Sequence, residues 1–211
     1  MAFKRVGYGQ VEPNQLSAQK TGQIYASLPL DTEVKVLQNG EFMFYDYATE
    51  KVTADDSTGV AEPMLVFNEI KLYEPFWRRS YKDFAMIRVG DNYVTSDLAV
   101  NGPVEGRYGD GAETIGINAN PGHTEYPYRM DGIAPRLFKT NIGDIFTTNM
   151  VKTGDDVTYA VGDKLVPVKN ADSKTLVLEA NNAATDGMIW VVVKVYTMPD
   201  GQDAVKLQRV H

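Results

Sequence analysis

After residue 33 the apolar and polar positions alternate with a period of two along most of the chain, the period of strands. Glu33-Val34-Lys35-Val36-Leu37-Gln38 alternates, Asn39-Gly40 follows, and Glu41-Phe42-Met43-Phe44-Tyr45-Asp46-Tyr47 answers. Asn-Gly supplies the two positive φ angles of a tight turn, so this stretch predicts a hairpin. A polar loop over 48–62 leads to a further alternating stretch, Met64 to Tyr73. Pro75 breaks that pattern, and Phe76 to Phe84 reads as one short helical piece. Ala85 to Val89 and Tyr93 to Thr95, around Gly90-Asp91-Asn92, predict a second tight hairpin.

The C-terminal part carries six predicted strands: Asp144 to Val151, Val157 to Ala160, Lys164 to Val168, Thr175 to Glu179, Met188 to Met198 and Ala204 to Val210. Gly154-Asp155-Asp156, Gly162-Asp163, Asn170-Ala171-Asp172 and Pro199-Asp200-Gly201 separate them. Such spacing belongs to a barrel or sandwich. Ile189-Trp190-Val191-Val192-Val193 is apolar at both parities, which predicts a strand buried on both faces. Ala180 to Ala184 is the one helical turn expected in this half.

Two stretches follow neither period. Residues 3 to 30 are polar, with isolated anchors at Phe3, Tyr8, Ile24, Tyr25, Leu28 and Leu30, and read as an extended arm separable from the body. Asn101 to Pro135 is punctuated by Gly102, Gly106, Gly109, Gly111, Gly116, Gly122 and Gly132 and by four prolines, and reads as a long loop. The predicted fold is therefore all-β: small β-barrel or sandwich units with an extended N-terminal arm and a long Gly/Pro-rich loop. The expected division is an arm at 1–30, a β-rich domain at 31–140 containing the loop 101–135, and a C-terminal barrel or sandwich at 141–211.

Composition narrows the chemistry. The 211 residues include no Cys and two His, which closes off zinc sites built from those residues and cysteine nucleophiles. A net charge of −7 argues against a nucleic-acid scaffold, because phosphate binding needs clustered Lys and Arg. Arg78-Arg79, with Lys71 and Lys82, is the one basic spot, and Glu69, Glu74 and Asp83 dilute it. The longest apolar run, Met188 to Val193, falls far short of the ~20 residues of a membrane-spanning helix. Met1 to Gly7 has no apolar stretch behind its two positive charges, so the expectation is synthesis in a cytosol without a signal peptide.

No catalytic motif stands out. A P-loop and a Gly-x-Ser-x-Gly elbow are absent. Gly106-Arg107-Tyr108-Gly109-Asp110-Gly111 does not join a strand to a helix, and His123 lies in a turn-like setting, Pro121 to Glu125. Asp55-Asp56 and Asp155-Asp156 read as solvated turn acids. No catalytic residue, metal or cofactor is therefore expected. The aromatic residues carry more information, because aromatics with Arg are enriched in the centres of protein interfaces. Phe76, Trp77, Arg78, Arg79 and Tyr81 form the segment expected to anchor an interface, together with Tyr8, Tyr25 and Leu28 of the arm. An exposed sheet edge is a second expected docking device, through strand addition.

A glutamine-rich start ending in Ala26-Ser27-Leu28-Pro29-Leu30 precedes a cysteine-free, acidic, β-rich body. Asn141-Ile142-Gly143-Asp144-Ile145-Phe146-Thr147-Thr148-Asn149 then leads into Val161-Gly162-Asp163-Lys164-Leu165. Together these resemble the capsid decoration, or cement, proteins of tailed bacteriophages. The resemblance implies a non-enzymatic virion protein, often a homotrimer, made in the host cytoplasm. Its implied partner is the major capsid protein, whose subunit contacts it reinforces on the outer capsid surface. Two other readings stand beside it: another virion β module (tail, neck or baseplate) or host-glycan binder, and a carboxylate-based polysaccharide hydrolase.

Overall fold

The computed structural model describes residues 3, 5, 9–34, 36–68, 86–88, 93–94, 134–154, 156–171, 173–198 and 202–211. Fourteen strands and one short helix appear among them. In chain order they are β1 (Val11–Gln15), α1 (Ser17–Thr21), β2 (Ile24–Tyr25), β3 (Val36–Gln38), β4 (Phe42–Asp46), β5 (Lys51–Thr53) and β6 (Met64–Val66). They continue as β7 (Met86–Arg88), β8 (Tyr93–Val94), β9 (Leu137–Phe138), β10 (Ile145–Thr148), β11 (Lys164–Asn170), β12 (Thr175–Ala180), β13 (Trp190–Thr197) and β14 (Asp203–Arg209). The predicted all-β class holds.

Eleven strands make one curled antiparallel sheet in the order β1-β10-β14-β13-β11-β12-β4-β6-β9-β2, with β5 paired to the second half of β4. Its two ends are joined by the chain itself: β1 runs through α1 into β2, while β9 runs through 139–144 into β10. Side chains from opposite parts of the curl therefore meet inside it. Trp190 of β13 lies 4.8 Å from Phe146 of β10 and 5.9 Å from Phe42 of β4, centroid to centroid. All three are fully buried. Aromatic rings at such separations contribute about 0.5–1.5 kcal/mol per pair beyond their buried area.

A second core lies on the other face of β4, β6 and β9. Alternation sends Phe42, Leu65 and Phe138 into the first core and Met43, Tyr45, Val66 and Leu137 into the second. Leu30, Val34, Leu37 and Val52 cover that second core. Pro29 O accepts from Val52 N and Val52 O from Asp31 N, which ties the covering segment to β5. So β4 is the strand buried on both faces. The apolar run at Ile189–Val193 is not: Trp190 and Val192 are buried, but Val193 is 37% exposed on the other side of the curl.

Residues 9–30, predicted as an extended arm, are built into the body. β1 pairs with β10, and Leu16 and Ala18 are fully buried in the first core, where Phe3 also packs. Leu16 and Ala18 straddle the start of α1, a pattern too short to show periodicity. Ser17 N, at the start of α1, donates to Asp144 Oδ1 at 2.9 Å, and Ser17 Oγ donates to Oδ2 at 2.8 Å. Asp144 thus satisfies the helix end from across the seam, in place of a local cap. The helix stops at Gly22, whose φ of 73° is left-handed.

The Asn39-Gly40 signal marks a corner and not a hairpin. β3 leaves the main sheet and pairs with β7, which pairs with β8 as the second predicted hairpin requires. β4 pairs instead with β6, β5 and β12. Gly40 has φ 94°, and a Cβ there would lie 2.5 Å from Thr148 Oγ1 and 2.6 Å from the Met150 Cβ. The turn is selected by close approach to the end of β10 as much as by its dihedral. Strands from both sides of the expected boundary at 140/141 share the main sheet. Val157 to Ala160 forms no strand, and residues 180–184 form a turn and no helix. The predicted loop 101–135 and helical piece 76–84 lie outside the described residues, apart from 134 and 135 at the loop's end.

Candidate interaction site

Of the residues expected at an interface, Tyr8, Phe76, Trp77, Arg78, Arg79 and Tyr81 lie outside the described residues. So does His123. Tyr25 and Leu28 are described, and both are half-buried against the chain's own second core. Tyr25 pairs with Leu137 and sets its ring 5.2 Å from that of Tyr45. Ser27 Oγ lies 2.6 Å from the Tyr45 hydroxyl, and Ser27 N donates to it. Tyr45 in turn meets Tyr47 edge-on at 5.2 Å. The result is a tyrosine ladder running from the core to Tyr47, which is 70% exposed.

Local hydrogen bonds explain why Tyr47 points outward. It opens the turn between β4 and β5, where Asp46 Oδ1 accepts from Ala48 N at 2.8 Å and the chain passes through Glu50 at φ 55°. Facing it, the loop after β5 is braced by Asp56. This carboxylate accepts from Thr58 N at 2.9 Å, Thr58 Oγ1 at 2.7 Å and Ala61 N at 2.7 Å. Those bonds, led by the Thr58 hydroxyl, hold the Asp56 carboxyl below its usual range. Val60 sits at the tip of that braced loop and is 85% exposed.

Tyr47, Val60, Ala61, Pro63 and Met64 line a groove of about 420 Å³, with Lys139 and Thr140 on its floor. One rim is pinned by Glu62 Oε1, which accepts from Arg209 Nη2 at 2.7 Å. Arg209 is itself buried and donates to the Thr140 carbonyl and hydroxyl and to the His211 carbonyl. The rim is therefore rigid, and its polar groups are largely engaged with one another. Such a surface accepts an apolar side chain more readily than it performs acid–base work. In the sequence Tyr47 closes the alternating run that begins at Glu41, whereas Val60 falls in the polar loop 48–62, where neither periodicity nor motif marks it.

A different site that the sequence does not announce is the buried carboxylate of Glu41. It accepts from Gln38 N at 2.7 Å and Thr175 Oγ1 at 2.9 Å, and it faces the partly buried Arg5, whose guanidinium rests on the Met150 sulfur. Desolvation pushes Glu41 up to about 7, against the pull of those two hydrogen bonds and of Arg5. Desolvation likewise lowers Arg5. Gly9 N donates to Gln38 Oε1 at 2.7 Å, which ties Gly9 to the same corner.

Among the described residues no group of three or more His, Asp or Glu side chains could hold a metal ion, and no helix is long and apolar enough to cross a membrane. No protein-family model, curated protein or solved structure matches the chain.

Proposed function

We propose that this chain is a non-enzymatic structural protein of a tailed-phage virion, seated as a trimer on the outer capsid surface and reinforcing contacts between major capsid subunits. The observation that carries the reading is the exposed apolar pair Tyr47 and Val60, held over a groove by braced turns on a two-core β scaffold. Exposed apolar patches rimmed by polar groups mark protein contacts. Side chains presented by rigid turns lose little entropy on docking. The resemblance of the sequence to decoration proteins supplies the lattice, on which many modest contacts add up through avidity.

The groove also fixes the test. Tyr47→Ser with Val60→Ser removes the exposed pair and changes no buried side chain, giving up only the edge contact of Tyr47 on Tyr45. Co-sedimentation with particles lacking the protein should then weaken by about tenfold, the loss of one good interface anchor. Undiminished binding of the double variant would contradict the assignment of this groove.

A further inference from the structure

The main sheet contains a strand edge that the described residues leave unpaired. β14 accompanies β13 from end to end, but β11 covers the other side only at Trp190 and Val191. The last bonds there are Gly162 N to Val192 O at 2.8 Å and Val192 N to Asp163 O at 2.9 Å. Going back along the chain from β11, the backbone turns away at Gly162, whose φ is 98°.

The direction of the remaining backbone groups follows from the ladder. Met198 N donates to Gln202 O, so Met198 and Tyr196 face β14 and the residues between them face outward. Val195 and Thr197 therefore direct their N–H and C=O groups away from β14. Among the described residues these groups have no ladder partner. The same parity rule places Pro167 on the diverging edge of β11, where the missing N–H blunts that edge against pairing. β13 has no such device.

Its surroundings indicate what would pair there. Val161, Val193 and Val195 are 69%, 37% and 38% exposed around this edge. Lys194 stands directly opposite Lys206, a like-charge cross-strand pair that is destabilising unless an anion lies beside it. Glu12, on the same face but two strands beyond Lys206, is engaged by the Tyr196 hydroxyl at 2.9 Å, and Lys194, on the open side, lies over the Tyr196 ring. Asp163 is engaged by Ala160 N and Asn182 Nδ2. We infer that the open edge of β13, at Val195 and Thr197, takes up an extended strand of a protein partner that alternates β-branched apolar residues with acidic ones. Main-chain bonds give the affinity, the exposed valines pack its apolar positions, and Lys194 selects its carboxylates. This edge shares no residue with the Tyr47–Val60 groove, so it stands or falls separately from the capsid reading.

The probe is a pair of capped peptides, one alternating Val and Glu and the other Val and Lys, titrated into the full-length chain labelled for NMR. The acidic peptide should slow hydrogen exchange at the Val195 and Thr197 amides and bind about fivefold more tightly than the basic one. Val195→Pro removes an outward N–H that β14 does not use, and should abolish protection at Thr197. If that variant does not fold, Lys194→Glu serves instead and should reverse the preference between the two peptides. Equal binding of both peptides, or no protection at either amide, would overturn the inference. So would peptide-free protection that grows with protein concentration, since the edge would then belong to a second copy of the chain.

Discussion

Glu41 shows how one residue couples the start of the chain to the rest. It is fully buried, yet both its oxygens are hydrogen-bonded, and Arg5 approaches it from a segment more than thirty residues earlier. Its folded value of about 7 lies above the usual 4.5, so the folded state binds the proton more tightly than the unfolded chain. The resulting stabilisation is fully present below pH 4.5 and is lost as pH rises through 7. Its size is about 3 kcal/mol, at 1.4 kcal/mol for each unit of difference. Glu41→Gln keeps a hydrogen-bonding side chain and removes the ionisation. Urea unfolding at pH 5 and pH 8 should show the wild type losing stability between them and the variant nearly flat. A wild type equally stable at both values would mean that Glu41 stays charged when folded.

Among the elements, the seam between β1–α1–β2 and β9–β10 decides whether the curl stays shut. Asp144, buried and accepting from Ser17 N, Ser17 Oγ and Asn141 N, is its polar fastening. Asp144→Ala removes the acceptor of the Ser17 N–H, the Ser17 O–H and the Asn141 N–H, and should lower unfolding stability by about 2–3 kcal/mol. Thermal denaturation followed by circular dichroism reads this directly, and an unchanged midpoint would show that water replaces the carboxylate freely. Deletion of residues 1–30 should be far more damaging. It removes Leu16 and Ala18 from the first core and Leu30 from the second, so the truncated chain should lose its cooperative transition.

The same elements show what could be read from the sequence. The long strands β11, β12, β13 and β14, and the β7–β8 pair, were legible because alternation ran for several residues between clear turns. β1 and α1 were not, since a short helical turn with two buried positions has no measurable period and its cap comes from Asp144, more than a hundred residues away. Asn39-Gly40 promised a hairpin, but the long-range fit of Gly40 against Thr148 and Met150 turned it into a corner. The candidate groove was hidden for a related reason. Tyr25 and Leu28 looked adhesive and pack against the second core, while Tyr47 and Val60 are exposed in loops braced by Asp46 and Asp56.

At the scale of the whole molecule, two cores share β4, β6 and β9, and the N-terminal residues close the curl against the C-terminal strands. Among the described residues its outward features are a braced apolar groove and an open strand edge. The proposed role would draw on both cores: a cement protein resists expansion and dissociation of a lattice by holding neighbouring subunits at fixed separation. In that role the net charge of −7 would oppose self-association before assembly. The most direct measurement is the thermal dissociation of phage particles assembled with and without this chain, followed by light scattering. The proposed function predicts a higher dissociation temperature with the chain bound, and a return to the undecorated value with Tyr47→Ser and Val60→Ser together. Identical dissociation temperatures for decorated and undecorated particles would contradict it.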